Sequence, residues 1–241
     1  MLHKTSGIVL HTTKYSETSL IVKLYTQDFG MQSYMINGVR NKKSKNKASL
    51  FQPLALVDLI ITGNEKNSLQ RISDITLHLP YEDIPYNIVK SSIALFLNEV
   101  LLKSLREQHP DEDLFSFLKN SLRILDLHPT NCANFHISFM LQLSRYLGFY
   151  PQGTHTGNTS VMDLQEGKFV NYLPHHPHYL NSKQSTFLSQ FLNVGYESFA
   201  EVKIDKSERK QLLHALILFY QLHVSSFGVI KSLEVLEEVA G

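Results

Sequence analysis

Along the first 80 residues, apolar and polar positions alternate with a period of two. Residues 5–13 read as a strand, with Ile8 and Leu10 on one side, Val9 on the other, and Thr12 and Thr13 at its end. Tyr15-Ser-Glu-Thr makes a turn, and Leu20, Val22 and Leu24 then alternate with Ile21, Lys23 and Tyr25 along a second strand. Asp28-Phe-Gly30 breaks that strand, with Gly30 suited to a positive-φ turn position. A third strand runs from Met31 to Val39, a fourth from Leu54 to Ile61 and, after Gly63-Asn64, a fifth from Leu69 to Leu77. Five short strands with the longest connection between the third and fourth predict a small closed barrel. The five-stranded oligonucleotide-binding (OB) barrel suits that size, and an SH3-like barrel fits the same strand count.

Pro80-Tyr-Glu-Asp-Ile-Pro85 marks a boundary, and beyond it the period changes from two to 3.6. Val89, Ile93, Phe96, Leu97, Val100 and Leu101 form one helical face. Pro110 and the acids Asp111, Glu112 and Asp113 open a second helix, whose stripe is Leu114, Leu118, Leu122 and Leu125. Asn131 is placed to cap a third helix, with Cys132 in its first turn, Phe135, Phe139, Leu143 and Tyr146 inward, and Gly148 at its end. Residues 149–181 are irregular, with Lys168–Tyr172 as a short strand. Ser182–Asn193 is helical. Asp205 followed by Glu208 resembles a capping box before a helix whose apolar side is Leu212, Leu213, Leu216, Ile217 and Tyr220; Lys231–Val239 is the last helix. The fold class is therefore α+β: a barrel domain over residues 1–80 and a mostly helical domain over 81–241.

Composition alters this picture in one respect. At 43% hydrophobic and 19% charged, usage is that of an ordinary globular chain, and the net charge is only +1. The charges are divided, however. Residues 1–80 hold ten Lys/Arg against five Asp/Glu, and residues 81–241 hold thirteen against seventeen. Five of the cations, Arg40, Lys42, Lys43, Lys45 and Lys47, fall between the third and fourth strands with no carboxylate among them. Like charges on so short a connection repel, so they contribute nothing to local stability. Held on a barrel scaffold, they suit a phosphate backbone.

Other chemistry is sparse. No Gly-rich phosphate loop and no Ser-His or Cys-His signature occurs, and the carboxylates sit mostly at helix starts, so the expectation is a protein that is not an enzyme. The single cysteine, Cys132, forms no disulfide within the chain and fits a reducing compartment, and the N-terminus lacks a signal-peptide core. His175, His176 and His178, in Pro-His-His-Pro-His, with His155 upstream, are the one metal-like cluster. With no thiolate nearby and no helical spacing, they are expected to form a polar turn-rich loop, with no metal or cofactor.

Gly7-Ile-Val-Leu, Tyr15-Ser-Glu-Thr-Ser, Leu24-Tyr-Thr-Gln-Asp-Phe-Gly30, Gly38-Val-Arg-Asn-Lys-Lys-Ser44 and Leu50-Phe-Gln-Pro53 together resemble the N-terminal half of the RecO family of bacterial DNA repair proteins. Leu147-Gly-Phe-Tyr-Pro151 and Lys231-Ser-Leu-Glu-Val-Leu-Glu-Glu238 look like later landmarks of that family, in the same order. The resemblance implies an OB barrel, a helical C-terminal domain and a cytoplasmic, nucleoid-associated recombination mediator. Such a protein binds single- and double-stranded DNA, anneals complementary strands and helps place the RecA recombinase on strands coated by single-stranded-DNA-binding protein (SSB). Implied partners are RecR, RecF in some systems, and the acidic tail of SSB. Many members carry a four-cysteine zinc site after the segment matching Leu147–Pro151; this chain has no cysteine there, so zinc does not carry over.

On this reading Arg40, Lys42, Lys43, Lys45 and Lys47 meet phosphates, and Lys14 and Lys23 extend the track. Tyr15, Tyr25 and Tyr34 are candidate stacking surfaces. An acidic tail needs a cation beside an apolar surface, and Arg209 and Lys210, next to Leu212 and Leu213, are the candidate receiving residues. An RNA-binding barrel protein and a protein-interaction scaffold without nucleic-acid binding are the rival classes.

Overall fold

The computed structural model describes residues 2–37, 39, 48–62, 69–106, 109–129, 132–157 and 159–239. Five strands form the N-terminal part: β1 (Leu2–Lys14), β2 (Leu20–Thr26), β3 (Gly30–Ile36), β4 (Leu56–Thr62) and β5 (Gln70–Leu77). Their order β1-β2-β3-β5-β4 closes into a barrel. All pairs are antiparallel except β3–β5, which is parallel and joined at Tyr34–Gln70 and Met35–Arg71. This is the OB fold. β1 begins three residues earlier than its apolar pattern suggests, because Leu2–Ser6 pairs along β4 through its backbone whatever its side chains. The alternation otherwise sorts as expected: Val9, Val22, Leu24, Tyr34, Val57, Leu59, Ile61, Ile72 and Ile75 fill the interior. The turn into β3 needs Gly30 at φ +62°, with the Thr26 hydroxyl accepting the Phe29 N–H and donating to the Gly30 carbonyl.

The chain divides into two compact units. One joins Met1–Tyr86 to Leu97–Asp126; the other joins Asn87–Phe96 to Leu127–Gly241. The strands end at the expected place, near residue 80, but the barrel's unit also takes the second half of α1 (Ile88–Ser104) and nearly all of α2 (Glu112–Leu127). In that unit Asn98 Nδ2 donates to the Leu10 carbonyl at 3.0 Å, and the Phe115 ring stacks on Tyr25 with centroids 6.4 Å apart. Asp126, only 4% exposed, accepts the backbone N–H groups of Glu82, Asp83 and Ile84, each at 2.9 Å. That single carboxylate satisfies the chain as it leaves the barrel. Leu54, just before β4, is held at φ +63°. Its N–H donates to Val9 O, and the Tyr81 hydroxyl donates to its carbonyl, which offsets the strain.

The second unit is built on α3 (Phe135–Tyr146), α4 (Ser182–Asn193), α5 (Lys206–His223) and α6 (Leu233–Val239). α3 begins later than expected: its N-cap position is Asn134, which makes no side-chain cap, while Cys132 lies buried ahead of the helix and Asn131 falls outside the described residues. Asn134 instead donates its amide to the carbonyls of Phe199 and Val202. The end of α3 is as expected, with Gly148 N–H on Arg145 O and Phe149 N–H on Ser144 O, a Schellman closure. α4 carries a full capping box between Asn181 and Gln184. α5 has half of one: Asp205 accepts from Glu208 N, but the Glu208 carboxylate turns to Lys183 Nζ. Tyr220 anchors α5 to α3 through its hydroxyl on the Met140 carbonyl at 2.6 Å.

The irregular segment holds a short hairpin, β6 (Val161–Asp163) with β7 (Lys168–Val170). Asp163, 2% exposed, organises it: Oδ1 accepts the Gln165 and Glu166 N–H groups and Oδ2 lies 3.3 Å from His176 Nε2. His176 Nδ1 accepts the His178 N–H, which assigns the ring proton to Nε2, facing Asp163. Among the described residues no helix is long and apolar enough to cross a membrane.

The buried polar groups set two measurable expectations. Asp126→Ala leaves three N–H groups without their acceptor and should cost the barrel's unit about 3 kcal/mol or more, read as a lower denaturant midpoint. A loss under about 0.5 kcal/mol would mean that water replaces the carboxylate. His136 is buried with no hydrogen bond to either ring nitrogen, and desolvation, helped by the nearby Arg209 charge, pushes its pKa down to about 3. The unfolded imidazole therefore takes up a proton near its ordinary pKa of about 6.5 while the folded one does not. Stability of the helical unit should fall by roughly 1.4 kcal/mol per pH unit between about 6.5 and 3. His136→Leu should remove that slope from the acid-denaturation profile, and an unchanged slope would contradict the assignment.

Candidate nucleic-acid interface

The register of the barrel decides which side chains share its outer surface. One row of outward positions is Ile8, Tyr25 and Met31, all buried although they lie outside the barrel's interior cluster. Phe115 of α2 stacks over Tyr25 in this row, so this part of the face is closed by the unit's own helix. The next two rows are open. A bulge in β1 at Leu10 brings His11 opposite Lys23, which in turn pairs with Ser33; beyond it come Thr13, Ile21, Met35 and Arg71. His11, Thr13 and Arg71 are exposed, and Ile21, Lys23, Ser33 and Met35 half-buried. These two rows lie on the β1-β2-β3-β5 side, the side on which an OB barrel carries nucleic acid.

The connections at one end border this face. Lys14 ends β1, and Tyr15, 63% exposed, starts the turn into β2. Arg40, Lys42, Lys43, Lys45 and Lys47 lie outside the described residues. The stems of that segment are described and are tied to β1 and to the turn before β2. Asn37 Oδ1 accepts from Ser19 Oγ at 2.9 Å on the entry side, and Phe51 O accepts from Thr12 Oγ1 at 3.1 Å on the return. Of the expected stacking rings only Tyr15 is available. Tyr25 lies under Phe115 and Tyr34 is 0% exposed inside the barrel, where burial pushes its phenol up to about 12. Alternation alone could not exclude them, since a strand tyrosine is amphipathic and fits either side. His11 and Arg71 carry no sequence signal of their own; only cross-strand register places them beside Lys23.

The opposite side of the barrel has the other sign. There Ser6, Asp58 and Thr76 form one row and Lys4, Ile60 and Asp74 the next, around a groove of about 490 Å³ that Asp28 also lines. Desolvation raises the Asp58 carboxyl, but hydrogen bonds from Ser6 and His78, with the His78 and Lys119 charges, outweigh it and hold the group below its ordinary value. Three carboxylates thus gather on this side, with Lys4 among them, while Lys23 and Arg71 lie on the other.

The expected partner residues in the second unit do not form a receiving surface. Leu212 and Leu213 are core residues, 0% and 3% exposed. Lys210 Nζ is 2.9 Å from Glu237 Oε2, whose other oxygen meets His214. Arg209 is half-buried in the first turn of α5, where desolvation lowers its pKa against the opposing pull of Asp205. The four histidines are likewise dispersed in role. His176 serves Asp163, His155 packs edge-on to Phe169, His178 gives its backbone N–H to His176, and His175 is exposed. Among the described residues no three His, Cys, Asp or Glu side chains gather to hold a metal ion.

A closed OB barrel with one cationic face, followed by a helical unit, defines a class of oligonucleotide-binding-fold proteins. Residues 1–81 match the family described as Recombination protein O N terminal, and residues 85–233 match Recombination protein O C terminal. The protein called DNA repair protein RecO in Bacteroides fragilis is 38% identical over 242 residues, covering 99% of each chain. Those of Azobacteroides pseudotrichonymphae and Christiangramia forsetii are 34% and 32% identical, over 99% and 100% of each chain. The chain belongs to the RecO family.

The geometry predicts which cations matter. Each phosphate contact contributes about 0.7 to the log–log salt slope on single strands, so Lys23→Ala with Arg71→Ala should flatten that slope by about 1.4. Lys4→Ala, on the acidic side, should leave it unchanged. Equal effects from the two sides would remove the open rows from the interface.

Proposed function

We propose that this protein is a DNA repair and recombination mediator that works by binding rather than by turnover. It holds single- and double-stranded DNA on the open rows of the barrel and through the cations of the Arg40–Lys47 segment, and it anneals complementary strands. It assists loading of RecA onto SSB-coated DNA in the cytoplasm, at the nucleoid, together with RecR, with RecF in some systems, and with the SSB tail. The observation that carries this reading is the cationic outer face. Lys23 and Arg71 are brought to one side by register, with His11 beside Lys23, while Asp28, Asp58 and Asp74 lie around a groove on the other side. Family membership over both units supports the repair context.

Annealing needs no base-edge readout, and positions suited to phosphate contact serve it on any sequence. A strand-annealing assay with purified protein on complementary DNA and on matched RNA tests the proposal. Faster annealing of DNA is expected. Replacing Lys42, Lys43 and Lys45 by Ala should slow it and flatten the salt slope of binding by about two units. Preference for RNA would move the protein to the rival nucleic-acid class, and no binding of either would leave only a scaffold role.

A further inference from the structure

The outer face of the barrel is poor in rings, and this bears on how a strand is held. Proteins that store single strands combine a cationic track with aromatic side chains on which successive bases stack, each stacked base contributing about 5- to 150-fold in affinity. Here the open rows present His11, Thr13, Ile21, Lys23, Ser33, Met35 and Arg71. The two strand tyrosines point elsewhere, Tyr34 into the interior and Tyr25 under Phe115. Two connections outside the described residues carry no ring in their sequence either. Residues 40–47 are Arg, Asn, Lys and Ser, and residues 63–68 are Gly-Asn-Glu-Lys-Asn-Ser, with no aromatic residue in either. Tyr15 and the smaller imidazole of His11 are the rings this side offers among the described residues.

Resting on the reading of this face as the DNA-binding surface, we infer that the protein grips a single strand by its phosphates and leaves most bases unstacked and turned outward. The cations form a track along one side of the chain. Ile21 and Met35 supply a low apolar floor between Lys23 and Arg71 that contacts sugar without providing a flat stacking partner. A strand held in this way exposes its pairing edges, which is the state a complementary strand needs to meet.

The test compares oligo-dT with an abasic oligonucleotide of the same length, about 16 nucleotides, at one salt concentration, using the full chain. The abasic strand carries the same phosphates and no bases. The wild type should lose no more than about tenfold on the abasic strand, and a variant carrying His11→Ala and Tyr15→Ala should bind the two strands within about twofold of each other. Thymines in the bound oligo-dT should stay open to permanganate oxidation. A loss of a hundredfold or more on the abasic strand, or protection of the thymines, overturns the inference while leaving DNA binding in place. Failure to bind either strand overturns the functional reading beneath it.

Discussion

Closure of the barrel depends on β1 serving two neighbours in succession. Its first half pairs with β4 and its second half with β2, the two ladders overlapping at Gly7 and Ile8. A strand can change partners only if it bends, and two features permit it. At Gly7 a Cβ would meet Leu59 Cδ1 and Thr26 Cγ2 at 3.3 Å, so the sheet is pressed close where the strand turns. At Leu10 the bulge adds one residue and rotates the rest of the strand. The bulge has a functional consequence. Without the extra residue every side chain after Val9 would change sides, and His11 and Thr13 would exchange places with Thr12. The Leu10 carbonyl at the bulge accepts from Asn98, which ties the helical part of the unit to the same point.

Closure and coverage together explain why the open face is small. The outer surface of a closed barrel is apolar wherever a helix lies on it: Ile8, Leu10, Tyr25 and Met31 are buried outside the interior cluster, and Phe115 of α2 covers Tyr25. The strand pattern contains this information in an ambiguous form, as runs of consecutive apolar residues such as Ile8-Val-Leu10 and Leu24-Tyr25. Both faces of those stretches are buried, and at Tyr25 the outer one is covered by Phe115 of α2. Lys23 and the residues beside it then stand out as the place where alternation becomes strict again and one face meets water.

The same contrast separates what is legible in the chain from what is not. Five strands, their order of appearance and most of the helical stripes come from periodicity, since burial of one face imposes it. The cap of α4 and the ending of α3 come from local chemistry. The features that escape the sequence depend on pairing at a distance. Asp126 sits in a helix whose sequence, Arg-Ile-Leu-Asp-Leu, gives no sign that its carboxylate will meet three N–H groups more than forty residues away. Asp163 is equally silent until the hairpin forms around it. Arg71 joins the open rows only through the two-residue parallel junction of β3 and β5. Conversely, stacking surfaces at Tyr25 and Tyr34 and a helix beginning at Cys132 are plausible locally and are overruled by tertiary packing.

Charge is sorted by the same register that sorts the apolar residues. A net charge of +1 over the chain would give no steering toward a polyanion. Asp28, Asp58 and Asp74 stand around one groove while Lys23 and Arg71 stand on the opposite side, so the barrel carries a dipole of charge across its own width. At physiological salt the Debye length is about 8 Å, shorter than the width of a barrel, so each face acts on a ligand largely by itself. A phosphate chain approaching the cationic face is attracted without being weakened by the carboxylates behind it, and one approaching the acidic face is turned away. Orientation is thus set before contact, by fields that need no recognition of sequence. On the proposed reading, a strand would therefore meet the open rows of the barrel first.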